Sequence, residues 1–105
     1  MLAEQMLHNL TYPLVQTGIY KDEESALINL VIDLIERKLN NYKATITTLE
    51  QKYQQNFDQF TQAIQQKATF YDEEDWMEWK GALEMQNAWK TAKQQLLSYE
   101  IARRN

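Results

Sequence analysis

The chain reads as all-α: a long antiparallel helical hairpin with short N-terminal and corner helices, dimerising into a helical bundle. Three observations predict this. The 105 residues include only two glycines (Gly18, Gly81) and one proline (Pro13), too few for the many tight turns of a sandwich or barrel. Apolar residues recur at spacings of three and four over two long stretches, which is the helical period. Asp22, Asn56 and Asp72 stand at the heads of apolar-periodic segments, and their side-chain oxygens are of the type that caps helix N-termini.

The length fits one domain, 1–105. In residues 1–18, Leu2, Met6, Leu7 and Leu10 share a helical face. That short helix is expected to end before Tyr12-Pro13, because a residue preceding proline is pushed out of the helical region. Pro13 then opens a second short turn, and Gly18 suits the left-handed position that closes it. Asp22 caps a long helix over 22–54, with Glu23 and Glu24 opposing the positive end of its dipole. Along it Ile28, Ile32, Ile35, Leu39, Tyr42, Ile46, Leu49 and Tyr53 alternate spacings of four and three, an a/d seam of about three and a half heptads. Leu27, Leu30, Val31 and Leu34 widen the apolar surface near its start, so that end is expected to be buried on more than one side.

Asn56 caps a corner helix over 56–67, with Gln59 at the capping-box position and Phe57, Phe60 and Ile64 on one face. The last helix is placed at 72–102, with Asp72 as its cap, Asp75 at N3, and Tyr71 and Trp76 as the two halves of a hydrophobic staple. Its apolar face is read as Trp76, Trp79, Ala82, Met85, Trp89, Ala92, Leu96 and Tyr99. Each long helix would reach roughly 45 Å, against a radius of gyration of only ~13 Å for a compact domain of this length. Such a hairpin leaves apolar seams wet, at ~25 cal/mol per Å². A homodimer closed through the Ile28-to-Tyr53 seam is therefore expected, two-fold symmetry being the commonest closure.

Net charge is −4, unevenly spread. Residues 68–80 alone sum to −4, whereas residues 81–105 sum to +2. No basic stripe of the kind that neutralises phosphate is present, so direct nucleic-acid binding is not expected. There is no cysteine, hence no disulfide framework, which suits a reducing cytoplasm. Met1 to Leu10 lacks a basic n-region and no apolar run approaches the ~20 residues that span a bilayer, so neither a leader nor a membrane segment is expected. The single histidine, His8, has no other His or Cys to share a metal or a proton relay. The contiguous carboxylates Asp72, Glu73, Glu74 and Asp75 point in different directions on a helix and lack the alternating loop of a calcium site. No phosphate loop, nucleophile set or Glu-x-x-His pair occurs. Neither catalytic residues nor a cofactor or metal site is expected.

The segment YDEEDWMEW is the most unusual composition in the chain, with two tryptophans, a tyrosine and five acids in nine residues. Aromatic anchors ringed by acids resemble a binding hot spot for a partner's Lys and Arg. The candidate partner-binding residues are thus Tyr71, Asp72, Glu73, Glu74, Asp75, Trp76, Glu78 and Trp79. Trp76 and Trp79 also lie on the apolar face, where packing within the chain accounts for them slightly better than partner binding does, whereas partner binding accounts better for the acids.

One stretch resembles a known family. Gly18 to Leu34, GIYKDEESALINLVIDL, is similar to the helical half of ribbon-helix-helix antitoxins from bacterial type II toxin-antitoxin modules, matching at Gly18, Tyr20, Glu23, Glu24, Ala26 and Leu27. Asp22 stands where that family often has a capping serine. The resemblance covers about a sixth of the chain. It implies an autoregulator that neutralises a toxin through its C-terminal part. The family's DNA-reading ribbon is a strand with basic or polar residues, whereas residues 1–11 here have helical periodicity and no Lys or Arg. The expectation is therefore a non-catalytic protein-binding module, antitoxin-like toward a basic partner. The alternatives are a self-associating scaffold and a DNA-binding regulator.

Overall fold

The computed structural model describes residues 2–104. They form four α-helices, α1 (Ala3–Gln16), α2 (Glu23–Tyr53), α3 (Phe57–Gln66) and α4 (Phe70–Arg104), and no strand.

Local chemistry accounts for each joint. Gly18 takes φ +82° after α1, which lets its N–H donate to Val15 O (3.0 Å) and that of Ile19 to Leu14 O (3.0 Å), the paired bonds of a Schellman closure. At the head of α2 the Ser25 N–H donates to Asp22 Oδ1 at 2.7 Å, as its capping role requires. Gln54, just past α2, is the only non-glycine described at positive φ (53°), and its side-chain amide donates to Gln51 O at 2.8 Å, satisfying a carbonyl that the helix end leaves open. Asn56 and Gln59 then form the reciprocal capping box of α3: Gln59 N–H donates to Asn56 Oδ1 (2.8 Å), and Asn56 N–H to Gln59 Oε1 (3.0 Å).

Three sequence expectations are corrected. First, α1 does not stop before Tyr12-Pro13 but runs through the proline to Gln16. Pro13 sits in the last turn, so only one ladder bond is forfeited, and the Schellman bonds just beyond it help offset that loss. Second, α4 begins at Phe70, not Asp72. Thr69 is its cap, the Asp72 N–H donating to Thr69 Oγ1 (3.2 Å) and the Thr69 N–H to Asp72 Oδ2 (3.1 Å). Asp72 is therefore the N3 partner, and Tyr71 is exposed in the first turn instead of stapling Trp76. Third, Met85, Ala92 and Tyr99 face solvent. The covered stripe of α4 is Asp72, Asp75, Trp79, Ala82, Gln86, Trp89, Lys93, Leu96 and Glu100, a strict three-four alternation with polar residues at half of its last six positions. Long side chains can bury their stems there while the polar ends find partners. Glu100, for instance, accepts from Arg103 Nε (3.1 Å) and Arg104 Nε (2.7 Å), and these guanidiniums, Arg103 first, hold its carboxyl below the usual range.

The chain divides into two compact units, Met1–Glu36 and Arg37–Asn105, the boundary falling inside α2. The second unit owns the aromatic core. Leu49 of α2, Phe60 of α3 and Trp79 of α4 are its buried centre, with Ile46, Tyr53, Phe57, Ile64, Trp76 and Leu83 packed around them. Ring centroids lie 5.5 Å apart for Phe60–Trp79 and 5.6 Å for Phe57–Trp79, within the range of favourable aromatic pairs, and Tyr53 and Phe60 are closer still, at 4.1 Å. In the first unit the buried residues are Thr11, Ala26 and Ile35. Thr11 Oγ1 donates to Leu7 O at 2.8 Å, and His8 Nδ1 lies 2.5 Å from Glu23 Oε1.

All eight seam residues of α2, from Ile28 to Tyr53, are buried or half-buried within a single chain. Around Ile46, Leu49 and Tyr53 the cover comes from α3 and α4.

Candidate protein-binding site

The structure divides the nine-residue acidic and aromatic segment into an inward and an outward set. Trp79, only 1% exposed, fills the aromatic core. Asp75 faces α2, accepting from Lys52 Nζ at 2.6 Å and from the Tyr53 hydroxyl at 2.5 Å. The bond to Lys52, seconded by Tyr53, lowers the Asp75 carboxyl below its usual value. Burial, then Asp75, raises the Tyr53 phenol, and Asp75 also raises Lys52. Asp72 completes the Thr69 cap. Trp76 is half-buried: its indole N–H donates to Thr61 Oγ1 (2.8 Å), which in turn donates to Phe57 O (2.8 Å). Its ring stacks on Phe57 at 5.8 Å, and Lys80 Nζ sits 5.3 Å from its centroid.

Outward lie Tyr71, Glu73, Glu74 and Glu78, together with two residues that sequence reading passed over. Phe70, Tyr71 and Met77 are 66%, 72% and 69% exposed, well beyond what large apolar side chains need for packing. Helical spacing puts Phe70, Glu73 and Met77 on one stripe and Tyr71, Glu74 and Glu78 on the next. The Phe70 and Tyr71 rings meet edge to face at 5.8 Å. Beside them runs an open groove of about 390 Å³ between α3 and α4, lined by Thr61, Ile64, Gln65, Glu73, Trp76 and Met77. Trp76 is thus both the flank of the core and the floor of the groove. The signal that could have found Phe70 is Thr69-Phe70-Tyr71-Asp72 itself, a capping box that moves the cap three residues back, from Asp72 to Thr69.

This arrangement offers an apolar trough with an acidic margin. No three His, Asp or Glu side chains converge in a metal-holding group among the described residues, and no helix among them is long and apolar enough to cross a membrane. Comparison of the chain with protein-family models, curated proteins and solved structures finds no match.

Proposed function

We propose that this chain is a non-catalytic protein-binding module. Its recognition surface is the α3–α4 groove with Phe70, Tyr71 and Met77, and its partner presents a basic amphipathic segment. The observation that carries the reading is the exposure of those three large apolar side chains within one or two helical turns of Glu73, Glu74 and Glu78. Aromatic residues and methionine are enriched at interfaces, and a few such anchors supply most of the binding energy. The three outward acids favour a partner bearing Lys or Arg and should accelerate its encounter. Asp72 and Asp75, already bonded within the chain, are structural in this reading. The resemblance at Gly18 to Leu34 favours a toxin-like basic protein as that partner. A DNA-reading ribbon forms no part of the proposal, since Ala3–Gln16 is helix.

The test is an NMR titration of the labelled chain with a helical peptide carrying leucines on one face and lysines beside them, and with its glutamate-for-lysine counterpart. The expected result is movement of the Trp76 indole N–H and of backbone amides over 70–78 with the basic peptide alone, weakening as salt rises. Met77→Asp should reduce affinity about tenfold or more, and Glu74→Gln with Glu78→Gln should remove most of the salt dependence. Equal response to both peptides, or shifts confined to other helices, would overturn the reading.

A further inference from the structure

The start of α2 is apolar on two sides. Ile28, Ile32 and Ile35 form its covered stripe, whereas Leu27, Leu30, Val31 and Leu34, roughly 120° further round the helix, remain 37% to 42% exposed. A helix segment apolar around most of its circumference belongs in an interior. The unit that carries it ends at Glu36, below the ~40 residues under which disulfides, metals or association are usually needed for stability, and the chain has no cysteine.

The charges at the two ends of this stripe show what would cover it. Glu23 and Glu24 stand at its N-terminal end, Arg37 and Lys38 at its C-terminal end, and the midpoint falls between Leu30 and Val31. Two copies of α2 laid antiparallel about that midpoint bring Leu27 against Leu34 of the other copy and Leu30 and Val31 against their own equivalents. Each acidic end then meets a basic end: Glu24 falls beside Lys38 and Glu23 beside Arg37, at both rims. A parallel arrangement would set acid on acid and base on base. The stripe is therefore complementary to itself, as an isologous two-fold interface must be.

We propose that the exposed face of α2 from Glu23 to Lys38 is a homodimerisation surface in which two copies pair antiparallel about Leu30 and Val31. This face is distinct from the Ile28-to-Tyr53 seam, and it is independent of the α3–α4 groove.

Sedimentation of the full chain and three variants tests it. Wild type should be a dimer at micromolar concentration. Leu30→Asp, at an exposed position, should leave helix content by circular dichroism unchanged and yield a monomer. Glu24→Lys and Lys38→Glu each create like-charged rims at both ends and should weaken self-association by about tenfold. Mixed in equal amounts, these two variants should recover wild-type affinity as a heterodimer, since each supplies the charge the other lacks. That recovery also shows both variants to be folded. Should Glu24→Lys fail to fold by circular dichroism, Lys38→Glu alone must still weaken the dimer. A monomeric wild type, a Leu30→Asp variant that stays dimeric, or a mixture of folded variants no tighter than either alone would overturn the proposal.

Discussion

The two units of the chain manage apolar surface in opposite ways. Around Trp79, three helices supply aromatic rings that cover one another, and the polar groups among them are bonded in pairs. In the first unit, two helices bury chiefly small residues, Thr11 and Ala26, besides Ile35, and leave Leu2, Met6, Leu10 and Ile19 at the surface. The difference comes from chain geometry. A corner where three helices meet can enclose a tryptophan, whereas two helices have only one face each to offer the other. The first unit, though the richer of the two in apolar residues, thus has the open surface, and the second has the closed core.

The contrast can be broken most severely at the corner. Trp79→Ala should cost about 3 to 5 kcal/mol, a large part of the ~5 to 15 kcal/mol that typically holds a domain together. Leu10→Ala, at a position 64% exposed, should stay within about 0.5 kcal/mol. Thermal unfolding of both variants measures the difference, and near-equal losses would erase the distinction between the units.

A smaller effect is expected where Asp75 joins α4 to α2. Its carboxyl titrates below the ordinary 3.8, so the stabilisation is whole above that value and disappears as pH falls through the lower folded one. Tyr53→Phe should remove about 1 kcal/mol at neutral pH. Asp75→Asn should flatten the acid limb of the stability profile, which urea titrations between pH 2 and pH 7 would reveal. The smallest expected effect, about 1 kcal/mol or less, belongs to Asn56→Ala, which loses one arm of the α3 cap and should leave the first unit's hydrogen exchange untouched.

Most caps and closures were legible because they are local, the exception being the start of α4, where Thr69 and not Asp72 is the cap. Asp22, Gly18 and the Asn56–Gln59 pair each act within three or four residues, and each took the role its chemistry predicts. The α2 stripe was legible for the same reason, its period being written in isoleucine and leucine. The facing of α4 was not. Counting apolar residues selected Met85, Ala92 and Tyr99, yet the covered positions beside them hold Gln86, Lys93 and Glu100. Composition located the candidate site but could not divide it. Whether Trp79 or Tyr71 turns inward depends on where Leu49 and Phe60 lie, far away in sequence. Pro13 misled in the other direction, because its penalty is confined to one bond near a helix end that has closures of its own.

The Thr61 hydroxyl, accepting from the Trp76 indole and donating to Phe57 O, bears on how the groove would meet a ligand. With Phe57 against one side of the indole and Lys80 near its ring, the floor of the trough is immobilised before anything enters it. Freezing a rotamer-rich side chain on association costs about 0.5 to 1.5 kcal/mol, and here that loss is confined to the rim residues Phe70, Tyr71 and Met77. A rigid floor with a supple rim allows one trough to fit apolar anchors of differing shape. Selectivity among them would then rest on the charges alongside more than on the contour of the pocket.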